Sequence, residues 1–188
     1  MRKFILAALI VVAALASAQG HMTYDGIELN GKIENVVRQL GKKGYTLVSQ
    51  KDGVVMMAGT FMEQPVMLAP IYTPIAKTVY RIAVMYPDDK NSWPLLSNRY
   101  ADLKARLIRE YGEPDEVIEQ FDSPYSAQND PLKAFELKKA TYKTSFKTKN
   151  GSVTLNISSY SAGIVVNLIY TDKKNEAKLE AEMGKTQK

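Results

Sequence analysis

Asn30-Gly-Lys-Ile-Glu-Asn-Val-Val-Arg-Gln-Leu-Gly-Lys-Lys-Gly44 is the stretch from which the fold is read. Ile33, Val36, Val37 and Leu40 recur with the spacing of one helix face. Asn30 is placed to cap the start of that helix, and Gly44 fits the left-handed position just past its end. Four β-rich runs follow at 45–50, 54–61, 65–71 and 77–86, punctuated by Asp52-Gly53, Glu63-Gln64 and Thr73-Pro74. In the last run Tyr80, Ile82, Val84 and Tyr86 share one side and Arg81 takes the other. Val54-Val55-Met56-Met57 is apolar on both sides, the pattern of a strand covered twice.

The arrangement then begins again. Pro87-Asp-Asp-Lys-Asn-Ser-Trp-Pro94 is a polar turn, with Ser92 as cap and Pro94 in a first helical turn. Leu96, Tyr100, Leu103, Leu107 and Tyr111 line one face of a second helix, which stops at Gly112 with Pro114 just beyond. Four more β-rich runs lie at 116–121, 140–148, 152–160 and 163–170, and Asn150-Gly151 marks a hairpin. Val153, Leu155 and Ile157 point one way; Thr154, Asn156 and Ser158 point the other. The predicted fold class is α+β: two tandem units, each one helix followed by a four-stranded antiparallel sheet. The first unit spans 19–86, with 19–30 as an extended leader, and the second spans 87–171. Residues 172–188 read as a charged, frayed tail.

Residues 1–18 have the three zones of an export signal. Arg2 and Lys3 give the basic start, 4–15 is apolar, and Ala16-Ser17-Ala18 offers small residues for cleavage after Ala18. The apolar run is shorter than the roughly 20 residues a membrane span needs. The chain contains no cysteine, which removes disulfides, thiol catalysis, cysteine metal sites and a lipidated cleavage-site cysteine. The expected location is therefore the periplasm or the exterior, with no membrane span and no lipid anchor. Removing 18 residues from a chain of 188 leaves 170. The formal charge of +5 loses two positives with Arg2 and Lys3. The remaining lysines are scattered as pairs such as Lys42-Lys43 and Lys138-Lys139, so no nucleic-acid stripe is read.

Two groups of residues carry a resemblance. One is His21-Met-Thr-Tyr-Asp-Gly-Ile-Glu-Leu-Asn-Gly31 leading to Val36, Leu40, Lys43-Gly44-Tyr45 and Ala58-Gly-Thr-Phe61. The other is Tyr100, Leu103-Lys104, Leu107 and Tyr111-Gly112-Glu113-Pro114. Together they resemble uncharacterised exported proteins of gut Bacteroidetes. The tandem pattern is similar at fold level to beta-lactamase inhibitory protein, and one unit is similar to small outer-membrane-assembly lipoproteins. The resemblance implies a fold and no mechanism. The lipoproteins' cysteine and the inhibitor's disulfides have no counterpart here.

Chemistry is sparse. His21 is the single histidine and lies in the leader, so Ser-His-Asp and Cys-His nucleophiles and the usual zinc sets are excluded. No P-loop, dinucleotide fingerprint or EF-hand is present. Glu113, Asp115, Glu116 and Glu119 form the densest acidic group, read as a solvated edge. A carboxylate-pair carbohydrate-active enzyme is the catalytic alternative. Cleavage after Ala18 would give a Gln19-Gly20-His21 terminus, a nitrogen set that suits Cu(II); the plainer reading is a leader histidine without metal. No cofactor is assigned.

What remains is surface. The second unit inserts Asp122-Ser-Pro-Tyr-Ser-Ala-Gln-Asn-Asp-Pro131 and 132–137 between its first two strands. Tyr125, Asn129 and Asp130 in that insertion, Tyr160 on a polar strand face and Trp93 at the mouth of the second helix form the candidate binding surface, with local packing as the plainer reading of Trp93. The expected function is a non-catalytic interaction module, with a broad sheet surface and the 122–137 insertion as its contact region and a protein, a peptide or an envelope component as its partner. An envelope-assembly role is a further alternative.

Overall fold

The computed structural model describes residues 20–51, 54–87, 92–161 and 163–186. The export signal, the Asp52-Gly53 turn and residues 88–91 of the polar turn lie outside the described residues. Helix α1 (Ile33–Lys42) buries Ile33, Val36 and Leu40 and ends at Gly44, whose φ is +94°. Its N-cap residue is Lys32 and not Asn30, because Lys32 pairs with Thr78 and fixes the approach. Helix α2 (Trp93–Tyr111) buries Leu96, Tyr100, Leu103 and Leu107, starts at Ser92 and stops at Gly112.

The strands depart from the tandem arrangement. β3 (Thr46–Lys51), β4 (Val54–Phe61), β5 (Gln64–Tyr72), β6 (Val79–Tyr86), β7 (Glu116–Phe121), β8 (Ala140–Lys147), β9 (Gly151–Tyr160) and β10 (Gly163–Asp172) form one antiparallel sheet. Its order is β3-β4-β5-β6-β10-β9-β8-β7. Two tandem units with a four-stranded sheet each are therefore overturned. The physical reason is the seam: β6 and β10 pair from Val166↔Tyr86 to Thr171↔Arg81. That pairing removes two open edges, each of which would leave a row of backbone groups unpaired.

Residues 20–30 are not a loose leader. β1 (Thr23–Tyr24) and β2 (Ile27–Glu28) form a hairpin turned by Asp25-Gly26, both at positive φ as a two-residue hairpin turn requires. Met22, Tyr24, Ile27 and Leu29 are buried. The charged tail is also ordered, as α4 (Lys173–Thr186). Asp172 ties the two ends together. Its buried carboxyl accepts Met22 N at 2.7 Å, His21 Nδ1 at 3.0 Å and Asn175 N at 2.8 Å, the last as a cap on α4. Asn175 Nδ2 in turn donates to the carbonyls of Leu29 and Val79.

One core serves the whole sheet. Leu40, Leu107 and Phe135 pack in a single cluster with Leu68, Val84, Leu155 and Leu168. Helices α1, α2 and α3 (Pro131–Glu136) thus cover the same side. Gly59 admits the Tyr45 ring, which occupies the place a Cβ would take.

Two stability predictions follow from these contacts. Met62 and Glu63 form the two-residue turn between Phe61 and Gln64, at φ of +50° and +65°, without the glycine such turns favour. Glu63→Gly should raise stability in urea unfolding by about 0.5–1 kcal/mol, because Glu63 is exposed and gives up only its left-handed strain. Asp172→Ala should lower stability by about 2–3 kcal/mol, since it leaves the buried Met22 N–H without an acceptor. A loss below about 0.5 kcal/mol for Asp172→Ala would contradict the tie between the chain ends.

Candidate binding face

The strands alternate with period two, so their burial pattern reports what each side of the sheet meets. β6, β9 and β10 alternate between buried and half-exposed residues along most of their length. The buried set faces the helices. The half-exposed set forms a second, open side whose rows follow from the strand registers. One row reads Ala58, Met67, Met85, Asn167, Asn156, Lys143, Ile118. The next reads Ala69, Ala83, Ile169, Thr154, Ser145, Glu116. The open face is thus apolar over β4, β5, β6 and the Ile169 position of β10, and polar over β9, β8 and β7. Helix α4 borders one end through Arg81, which donates to Glu176 at 2.9 Å and to Thr171 Oγ1 at 3.1 Å. Glu182 receives the backbone N–H groups of Ile75 and Ala76 at the far end of that helix.

An amide pair lies at the junction of the apolar and polar halves. Asn167 Nδ2 donates to Asn156 Oδ1 at 2.8 Å, and Ser158 Oγ donates to the same oxygen at 3.1 Å. Asn167 is 1% exposed, and its Oδ1 has no partner among the described residues. A buried amide oxygen without a donor is unfavourable unless something supplies one. The sequence signal for this site was a lone polar residue inside Ile164-Val-Val-Asn-Leu-Ile-Tyr170.

The expected surface residues fall on both sides. Tyr160 ends β9 in line with Asn156 and Ser158 on the open face, and is 52% exposed. Trp93 lies on the helical side, its ring 5.2 Å from Tyr142, 5.4 Å from Phe121 and 5.7 Å from Phe135. Tyr125, Asn129 and Asp130 stay together in the insertion. Ser126 and Asn129 exchange backbone bonds, Asn129 Nδ2 donates to the carbonyl of Pro124, and Asp130 precedes α3 at φ +50°. The insertion returns through Phe135 and Ala134, both buried. A recess of about 310 Å³ lined by Phe135, Glu136, Lys138, Thr141, Ser158 and Ser159 joins its end to the neighbourhood of Tyr160.

The acidic group is engaged along the β7 edge. Asp115 accepts Lys147 N, Glu116 pairs with Lys143 at 2.6 Å and Glu119 pairs with Lys104 at 2.7 Å. Among the described residues, no three His, Asp or Glu side chains converge as a metal set, and no helix is long and apolar enough to cross a membrane. His21 Nδ1, which a copper site at the terminus would need, is held by Asp172. The buried tyrosines are structural. Tyr24 and Tyr45 share a hydroxyl hydrogen bond of 2.7 Å, and Tyr100 bonds Thr144 at 2.6 Å. Burial holds the hydroxyls of Tyr24, Tyr86, Tyr111 and Tyr170 far above the ordinary range and pushes Tyr100 up to about 12. Comparison of the chain with protein-family models, curated proteins and solved structures gives no match.

The raised tyrosines fix the sign of an alkaline effect. Their protons are held more tightly in the folded chain, so the stability they add is complete below pH about 10 and is lost as pH climbs through about 12. Tyrosinate absorbance at 295 nm should rise in a late step that coincides with loss of far-ultraviolet circular dichroism. Full tyrosine ionisation with the dichroism intact would contradict burial of these hydroxyls.

Proposed function

We propose that the chain is an exported, non-catalytic interaction module that works in the periplasm or outside the cell and docks a macromolecular partner on the open face of its sheet. The observation that carries this reading is the side-to-side contrast of one continuous sheet. One side is sealed by α1, α2 and α3, while the other presents Met67, Met85, Ala69 and Ala83 half-buried beside the polar side of β9. Methionine and small residues make an adaptable apolar contact surface, and the adjoining Asn156, Ser158 and Tyr160 supply directional bonds and aromatic area. Export is supported by the zones of residues 1–18. The carboxylate-enzyme alternative gains nothing from the acidic group, because Glu116 and Glu119 are spent on lysines along an edge.

Capture from native envelope extract on a tagged chain tests the reading. Met85→Arg should abolish capture while leaving the melting temperature within about 2 °C, since a half-exposed position accommodates a charge. Removal of 123–130 should leave capture in place. Capture that survives Met85→Arg would refute the open face as the contact surface.

A further inference from the structure

We infer that the occupant of the open face is a second copy of this chain, packed sheet against sheet about a two-fold axis that runs across the strands. The inference rests on the open face being the contact surface, and it names what covers it.

The face is large enough for a stable dimer. Eight strands about 4.8 Å apart, each giving five or six residues at about 3.3 Å, make a face about 38 Å by 18 Å. Two such faces bury about 1,400 Å², within the range of stable specific interfaces.

The face is also complementary to itself. The row Met67–Met85 lies beside the row Ala69–Ala83 on the same two strands. An axis across the strands, passing between these rows, lays the methionines of one copy over the alanines of the other. Ridge meets groove in both directions, as a two-fold interface requires. The same axis keeps each strand over its own counterpart, so the apolar half meets the apolar half. An axis along the strands at the seam would instead set β5 and β6 against β9 and β10, so Met67 and Met85 would meet the polar Asn156 and Asn167.

Helix α4 is placed to fit the same axis. It borders the Arg81 end of the face, and Tyr160 stands at the opposite end. The proposed axis exchanges the two ends, so each α4 lies beside the partner's Tyr160 end and the two helices do not collide. Ile75, Met183 and Tyr160 are 62%, 53% and 52% exposed in the single chain. One interface brings all three to its margins, which accounts for large apolar groups that a lone chain leaves in water.

The purified, processed chain should sediment at twice its chain mass at 100 µM and show a concentration-dependent shift toward single-chain mass on dilution. Ala83→Arg should give single-chain mass throughout, with unchanged circular dichroism. Because the chain has no cysteine, Ala83→Cys provides one thiol per copy. A short bis-maleimide should join it into a covalent dimer, while Asn98→Cys on α2 should give none. A single-chain mass at every concentration, with no cross-link at position 83, would overturn self-pairing. If Met85→Arg still abolishes capture from envelope extract in that case, the face keeps its role with another occupant. If capture also survives Met85→Arg, both readings fall.

Discussion

The pairing of β6 with β10 makes one molecule of two runs of strands. It places Val84 against Leu168 and Ile82 against Tyr170, and by doing so joins two runs of four strands into one sheet. Both strands bury their core-facing residues almost completely. A sheet closed at its middle has its edges only at β3 and β7. Those edges are blunted by a register shift at Leu47/Ser49 on one side and by Glu116 and Glu119 on the other.

The seam also decides where the helices go and what they leave uncovered. With a single core, α1, α2 and α3 collect on one side, and the opposite side is left as a broad surface. Its rows cross the seam without interruption: Met67 and Met85 lead directly into Asn167 and Asn156. The binding reading and the self-pairing reading both grow from that continuity. Two separate sheets would have offered two small faces, each too narrow for a standard interface.

Helices and strands were legible in the sequence because their periodicities are local. The face of α1 from Ile33 to Leu40, the glycine stops at 44 and 112, and the alternation of Val153, Leu155 and Ile157 are all found in the structure. Strand partnership is not local. No property of 77–86 alone says that its free edge meets 163–172 and not solvent. Asp25-Gly26 carried a clear hairpin signal, yet the short strands beside it looked like a leader until Asp172 and Asn175 supplied their partners from the other end of the chain. The candidate surface was partly legible for the same reason. Tyr160 and the polar side of β9 followed from alternation, whereas the Met–Ala rows needed the registers of three strand pairs. Trp93 at a helix mouth reads as local packing first and as a partner anchor second; its packing partners Phe121, Phe135 and Tyr142 come from segments distant in sequence.

One side of the continuous sheet is open and the other sealed, and methionine oxidation distinguishes the two directly. Met56 and Met57 are neighbours on β4 that point to opposite sides, so they control for each other. Peroxide treatment of dilute folded protein, followed by peptide mass spectrometry, should oxidise Met56, Met67 and Met85 rapidly while Met57 and Met22 remain protected. Equal protection of Met67, Met85 and Met57 at that dilution would contradict an open face, and equal reactivity of Met56 and Met57 would contradict the sheet register itself.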